Sequence, residues 1–117
     1  GLRGGDKGGW GGRVHGVVGM KGYVYVCDEF VETKLTFDDL TRRGLIIKAV
    51  KGAVRECLGV EAEEVEFVRG LMANDWAVLE YEARTKFAAI RPRVIFTKGD
   101  PAKAMEEAEH VFQSRRP

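Results

Sequence analysis

The feature that most constrains the fold is one amphipathic segment near the middle of the chain. Thr36 is a good N-cap, acidic residues follow it in the first turn, and Gly59 stands where a helix would end. At 100° per residue, Ile46, Val50 and their helical neighbours form one apolar side. We therefore expect a helix over residues 37–58 that buries this side against the rest of the protein.

Segments with the alternating pattern of β-strands lie on both sides of this helix. The predicted strands are residues 22–31, 63–70, 76–84 and 93–97. The second and third of them should form a hairpin, and Asp100 with Pro101 should begin a second helix. This order predicts an α+β fold, specifically a ferredoxin-like (RRM-like) antiparallel sheet with the helices packed on one face.

The N-terminal region differs from the rest of the chain in composition. Ten of the chain's 15 glycines fall within its first 22 residues. We expect residues 1–21 to form a flexible Gly-rich arm and residues 22–117 to form a single α+β domain. Three interpretations of the arm stay open: it contacts RNA, it is a plain flexible tail, or it is an upstream extension before a natural start at Met20. The RNA contacts in the first interpretation are Arg3, Trp10 and Arg13.

The formal net charge of +1 hides an uneven distribution of basic residues. Residues 42–55 and 84–98 each contain five basic residues and no acid. If the two segments lie side by side, they form one basic patch. Lys48, Lys51 and Arg55 follow one another at i, i+3 and i+7 on the predicted helix, away from its apolar side. Such a surface suits a phosphate backbone or a partner helix, and an ordinary solvated face with two tolerated glycines stays open as the alternative.

No catalytic or metal-binding signature is present in the sequence. P-loop, GxSxG, HExxH and CxxC patterns are all missing, and His15 and His110 are the only histidines. We expect Cys27 and Cys57 to be buried, reduced thiols in an intracellular protein, and we expect no membrane span, because no apolar run approaches about 20 residues.

Three segments resemble those of a known family. They are YVYVCDEF at 23–30, KAVKGAVRECLGV at 48–60 and WAVLEYEARTKF at 76–87. Together they resemble the small ferredoxin-like protein subunits of ribonuclease P and ribonuclease MRP, over residues 22–90. The resemblance implies an accessory subunit that is not an enzyme by itself. In such a complex the RNA cleaves precursor tRNA with Mg²⁺, and the protein braces that RNA without a cofactor of its own.

The resemblance also implies two kinds of partner, a structured RNA and a larger protein subunit. The residues expected to contact RNA phosphates are Lys48, Lys51, Arg55, Arg84, Lys86, Arg91 and Arg93. The expected protein interface is an exposed strand face carrying Trp76 and Val78. The expected location is the cytoplasm, or the nucleus or nucleolus in a eukaryote.

A different class of function is compatible with the same fold. A ferredoxin-like domain can serve as a protein-interaction or ligand-sensing module that forms a homodimer, or another oligomer, through its open sheet. Fold alone does not separate this class from RNA binding, and an enzyme is the third alternative.

Overall fold

The computed structural model of the chain describes residues 19–115. Its strands are β1 (Lys21–Val26), β2 (Glu29–Thr36), β3 (Glu64–Met72), β4 (Trp76–Arg84), β5 (Ala89–Ile90) and β6 (Arg93–Thr97). The helices are α1 (Arg43–Leu58) and α2 (Pro101–Ser114), and a 3₁₀ turn covers Phe37–Thr41. The strands form one antiparallel sheet in the order β2-β1-β6-β4-β3, with the short β5 beside β4. The predicted α+β class with an antiparallel sheet is confirmed.

The first predicted strand, residues 22–31, is in fact a hairpin. β1 ends at Val26, and the chain reverses through Cys27 and Asp28, whose φ angles are +50° and +66°. Two successive residues with positive φ are the signature of a tight turn that matches the twist of a β-hairpin. The prediction was wrong because neither residue is glycine, so the sequence carries no common signal for this turn. Cys27 consequently lies exposed at the turn, and not in the core as expected.

The middle helix begins and ends near the predicted residues, although its first turn is of the 3₁₀ type. The Thr36 N–H donates to Asp39 Oδ2 at 3.0 Å, which holds the start of this turn. α1 itself begins at Arg43. It ends at Gly59, which has φ +70° and donates its N–H to the Arg55 carbonyl at 2.9 Å.

The two α-helices cover opposite faces of the sheet. Face A packs against α1 and carries alternate strand residues, among them Val24, Val26, Ala77, Val94 and Phe96. Face B packs against α2 and carries the intervening strand residues, which point the other way. They include Trp76, Val78 and Ile95.

The predicted arrangement with both helices on one face is therefore wrong. Its physical reason is that the central strands β4 and β6 are apolar on both sides, so each face needs a covering helix. α2 meets this need with Ala104, Ala108 and Phe112, and its Asp100 N-cap accepts from the Ala102 N–H at 3.0 Å, as expected.

The N-terminal boundary of the folded part lies slightly before the predicted one. Met20 is fully buried, and its carbonyl accepts from the Phe37 N–H at 3.1 Å. Residues 1–18, which make up nearly all of the predicted arm, lie outside the described residues, as do its expected RNA contacts. Within residues 19–115, no helix is both long enough and apolar enough to cross a membrane.

Candidate nucleic-acid interface

α1 exposes three cations on the side that points away from the core. Its buried residues are Ile46, Val50, Ala53 and Val54, all directed at face A. Lys48, Lys51 and Arg55 are exposed on the opposite side, and we call them the cation stripe. The predicted helical spacing of these three residues is confirmed, since all of them lie within the regular α-helix.

No carboxylate in the described part of the chain neutralises the cation stripe. The salt bridges among residues 19–115 use other basic side chains and leave these three without a partner. Three positive charges that the described fold does not use for its own packing are therefore available to an anionic ligand.

Two glycines lie on the same side of α1 as the cations. Gly44 and Gly52 are exposed, and a Cβ atom added at either position would meet nothing within 4 Å. The packing of the described residues therefore does not require glycine there, although an interior helix glycine costs about 1 kcal/mol relative to alanine. The bare backbone at Gly52, between Lys51 and Arg55, and at Gly44, one turn before Lys48, gives a ligand close access to the helix.

Lys86 and Arg84, two other predicted RNA contacts, lie at one end of the sheet. Lys86 is exposed in the turn after β4 and borders the same cleft as Gly59 and Val60, where α1 ends. Arg84 is also exposed, but its Nε lies 3.6 Å from Glu64 Oε1. Lys86 therefore lies near the C-terminal end of α1, in a cleft that Glu61 and Glu63 also line, and Arg84 is partly neutralised.

Arg91 and Arg93 do not join this surface. Arg91 Nη1 donates to Glu80 Oε2 at 3.2 Å, and Arg93 Nη1 lies 2.6 Å from Glu109 Oε1 of α2. The Arg93 side chain is only 13% exposed, on face B. The expectation that residues 42–55 and 84–98 form one continuous patch is therefore wrong, because the sheet separates these two arginines from the cation stripe.

Glu80 is the centre of an ion network on face B. Its side chain is 6% exposed and accepts a hydrogen bond from Arg69 Nε at 2.6 Å, in addition to that from Arg91. Burial by itself raises the pKa of the Glu80 carboxyl, but the hydrogen bonds from Arg69 and Arg91 outweigh it and hold the pKa below its usual value. The hydrogen bond from Arg93 likewise lowers the pKa of Glu109. The acidic and basic side chains of this network neutralise one another, so little net charge remains there to attract a ligand.

The predicted protein interface at Trp76 and Val78 lies under α2. Trp76 is 7% exposed and Val78 is fully buried, and both pack with Ala104, Ala108 and other α2 residues. Trp76 Nε1 also donates to Glu107 Oε1 at 2.7 Å. The expectation of an exposed face was wrong because it placed α2 on the other side of the sheet.

An apolar surface that the sequence reasoning missed lies along β3, an edge strand of the sheet. Phe67, Val68 and Met72 are 53%, 39% and 52% exposed, and we call them the β3 edge patch. Phe67 lies beside Tyr81, and both side chains line an open groove of about 540 Å³. The available signal was the pair of adjacent apolar residues at 67–68, where strict alternation fails; the register of β3 on β4 shifts at this point.

Metal ligation finds no support in the described region. The acids at 61, 63, 64 and 66 do not converge, and no three His, Cys, Asp or Glu side chains between residues 19 and 115 are grouped as metal ligands would be.

Comparison with known proteins found no match of the chain to a protein-family model, a curated protein or a solved structure. The resemblance to ribonuclease P and MRP subunits therefore rests only on the three quoted segments. A function has to be inferred chiefly from the surface chemistry described above.

Proposed function

We propose that the protein is a non-catalytic RNA-binding subunit that holds a structured RNA against the exposed side of α1. The observation that carries the proposal is the cation stripe: Lys48, Lys51 and Arg55 are exposed and have no acidic partner among the described residues. Lys86, which is also exposed, lines the cleft near the C-terminal end of the helix.

The cation stripe suits a phosphate backbone in its geometry. At about 1.5 Å per residue, the three side chains span roughly 10 Å along one side of the helix. Lysine and arginine bind phosphates through charge and release the counterions that RNA carries, without reading base sequence. The glycines at 44 and 52 remove side-chain bulk beside these three residues. This surface would brace an RNA in a fixed position.

The kind of RNA is proposed from the family resemblance. It would be the catalytic RNA of a ribonuclease P-like or MRP-like particle, which processes precursor tRNA with Mg²⁺ inside the cell. The α+β sheet is compatible with the ferredoxin-like class of those subunits, although here the helices cover opposite faces. The second partner, a larger protein subunit, would dock on the β3 edge patch in place of the buried Trp76 and Val78.

A homodimeric interaction module is the second candidate, and the β3 edge patch favours it. β3 has no strand on its outer side within the described sheet, and it exposes Phe67, Val68 and Met72. An apolar edge strand is a template for pairing with another strand, so a second copy of the chain could extend the sheet there. Sedimentation equilibrium tests this candidate: a dimer that Val68→Lys dissociates supports it, and a monomer at all concentrations contradicts it.

The proposed function is tested by a charge-matched pair of variants. Lys48→Ala/Lys51→Ala/Arg55→Ala removes the cation stripe. The control variant removes three exposed lysines elsewhere: Lys34, Lys98 and Lys103. Fluorescence anisotropy measures the affinity of the parent and of each variant for two labelled RNAs. One is a precursor tRNA, and the other is the catalytic RNA that processes it.

We expect the stripe variant to bind about tenfold or more weakly and the control variant to stay near the parent, because the phosphate contacts are local. Equal weakening of the two variants would show that only net charge matters and would contradict the assignment. Circular dichroism and urea unfolding establish that both variants remain folded.

A further inference from the structure

The turn between β4 and β5 holds one aromatic side chain in solvent. Thr85 Oγ1 accepts from the N–H groups of Phe87 and Ala88, both at 3.0 Å, and the Thr85 N–H donates to the Ala88 carbonyl at 2.9 Å. These bonds fix the backbone of the turn. Phe87 is nevertheless 78% exposed, more than any other large apolar residue exposed in the described chain. The turn is thus ordered around a ring that contributes little to the core.

Phe87 forms one wall of a cleft at the end of α1. The cleft has a volume of about 340 Å³, and its other walls include Gly59, Val60 and Lys86. Glu61 and Glu63 complete its lining, and neither carboxylate takes part in a salt bridge among residues 19–115. An aromatic residue, an aliphatic residue, a lysine and two glutamates without a salt-bridge partner therefore line one concave place.

These groups match the parts of an unpaired nucleotide. An aromatic side chain stacks on the flat face of a base, and a lysine attracts the attached phosphate. A carboxylate accepts a hydrogen bond from an exocyclic amino group such as N4 of cytosine. The cleft also adjoins the cation stripe, because the Gly59 in its lining donates its N–H to the carbonyl of Arg55.

We propose that this cleft binds an unpaired base with an exocyclic amino group, on an RNA whose backbone lies along the cation stripe. The inference rests on the proposed function and refines it: the RNA would have to present a loop or bulge at the C-terminal end of α1. A cationic peptide is the competing occupant, since it would satisfy Glu61 and Glu63. Such a peptide would be repelled by Lys86 in the cleft and by Arg55 one turn away, whereas a nucleotide would present its amino group to the carboxylates and its phosphate to the cations.

The test uses the full chain and two RNA probes with the same stem. One probe closes the stem with a five-cytidine loop, and the other is a blunt duplex. Phe87→Ala should weaken binding of the loop probe by about tenfold or more, because stacking on the ring is lost, and should leave the duplex unaffected. Phe87→Trp should retain loop binding. Phe30→Ala is the control, since it removes a partly exposed phenylalanine that packs beside Tyr25 on face B, outside both proposed surfaces, and it should change neither affinity.

The role of the two carboxylates as hydrogen-bond acceptors is tested by replacing the cytidines of the loop probe with uridines. The parent should prefer the cytidine loop to a uridine loop, and Glu61→Gln/Glu63→Gln should abolish this preference. An unchanged preference would overturn the proposed role of the two carboxylates.

The other outcomes separate this inference from the proposed function. If the stripe variant binds weakly but Phe87→Ala binds the loop probe like the parent, the cleft is not a base site and the proposed function stands. If Phe87→Ala instead loses binding of a deca-arginine peptide and keeps RNA binding, the cleft takes a cationic partner and the inference is overturned. If the parent binds neither RNA, both proposals fail.

Discussion

Replacing one oxygen of the Glu80 carboxylate by an amide nitrogen removes its charge. We expect this small change to destabilise the fold strongly. Glu80→Gln keeps the size of the side chain but not the carboxylate that three arginines surround. Arg69 Nε and Arg91 Nη1 lie 2.6 and 3.2 Å from its oxygens, and Arg93 Nη2 lies 4.0 Å away. Since the Glu80 side chain is only 6% exposed, water cannot replace it.

The size of the loss in the free energy of unfolding depends on whether each arginine can find another hydrogen-bonding partner once the carboxylate is gone. Breaking a fully buried ion pair by removing one partner costs about 3–5 kcal/mol. Here the side chains of Arg69 and Arg91 are 37% and 54% exposed, so both can turn to water, and Arg93 keeps Glu109 at 2.6 Å. We therefore expect the free energy of unfolding to fall by about 2–3 kcal/mol, at or below the low end of that range.

Urea unfolding at neutral and acid pH measures this effect. The folded pKa of Glu80 is lowered, so its contribution is fully present above the ordinary glutamate pKa of about 4.3 and is lost as pH falls through the lower folded value. The difference between parent and Glu80→Gln should accordingly be largest at pH 7 and shrink below about pH 4. Glu82→Gln is the control, because its only close cation among the described residues is Arg91 at 4.0 Å. A loss at pH 7 no larger than that of the control, or a difference that does not depend on pH, would refute the reasoning.

Three further predictions concern other parts of the chain. Gly52→Ala should raise the free energy of unfolding by about 0.5–1 kcal/mol, because the new Cβ meets nothing within 4 Å; a decrease in urea unfolding would contradict this. Gly22→Ala should lower it by about 1–3 kcal/mol, since its Cβ would lie 2.8 Å from that of Leu35, and an unchanged midpoint would show that the sheet adapts. Exposed Cys27 should react with a thiol reagent faster than Cys57, which is half-buried and whose pKa burial raises; equal rates in the native protein would argue against the described turn.

Local signals in the sequence were sufficient for most of the elements. Asp100 and Pro101 mark the start of α2, and Gly59 marks the end of α1, because capping depends on a few neighbouring residues. The β3–β4 hairpin also followed from its alternating pattern. The turn at Cys27 and Asp28 had no such signal, since only the pairing of β1 with β2 stabilises positive φ at both residues.

The placement of helices and charges depended on contacts between distant segments. β4 is apolar on both sides around Val78, so its sequence does not say which helix covers which face. An acid within a strand such as Glu80 suggests an outward, solvated position, but arginines from β3 and β6 and from the residue after β5 enclose it. The cation stripe was predictable because it belongs to one helix, whereas the fate of Arg91 and Arg93 depended on the whole sheet.

The salt dependence of RNA binding tests the central claim most directly. Affinity for a structured RNA is measured for the parent and for Lys48→Ala/Lys51→Ala/Arg55→Ala over a series of salt concentrations. Each lost phosphate contact reduces the steepness of log K against log salt by about 0.7 to 0.9. Because the variant loses three contacts, we expect the slope of its plot to be smaller in magnitude by about 2 to 3. We also expect the two affinities to converge at high salt. Parallel plots, or equal affinities at every salt concentration, would contradict an RNA interface on α1.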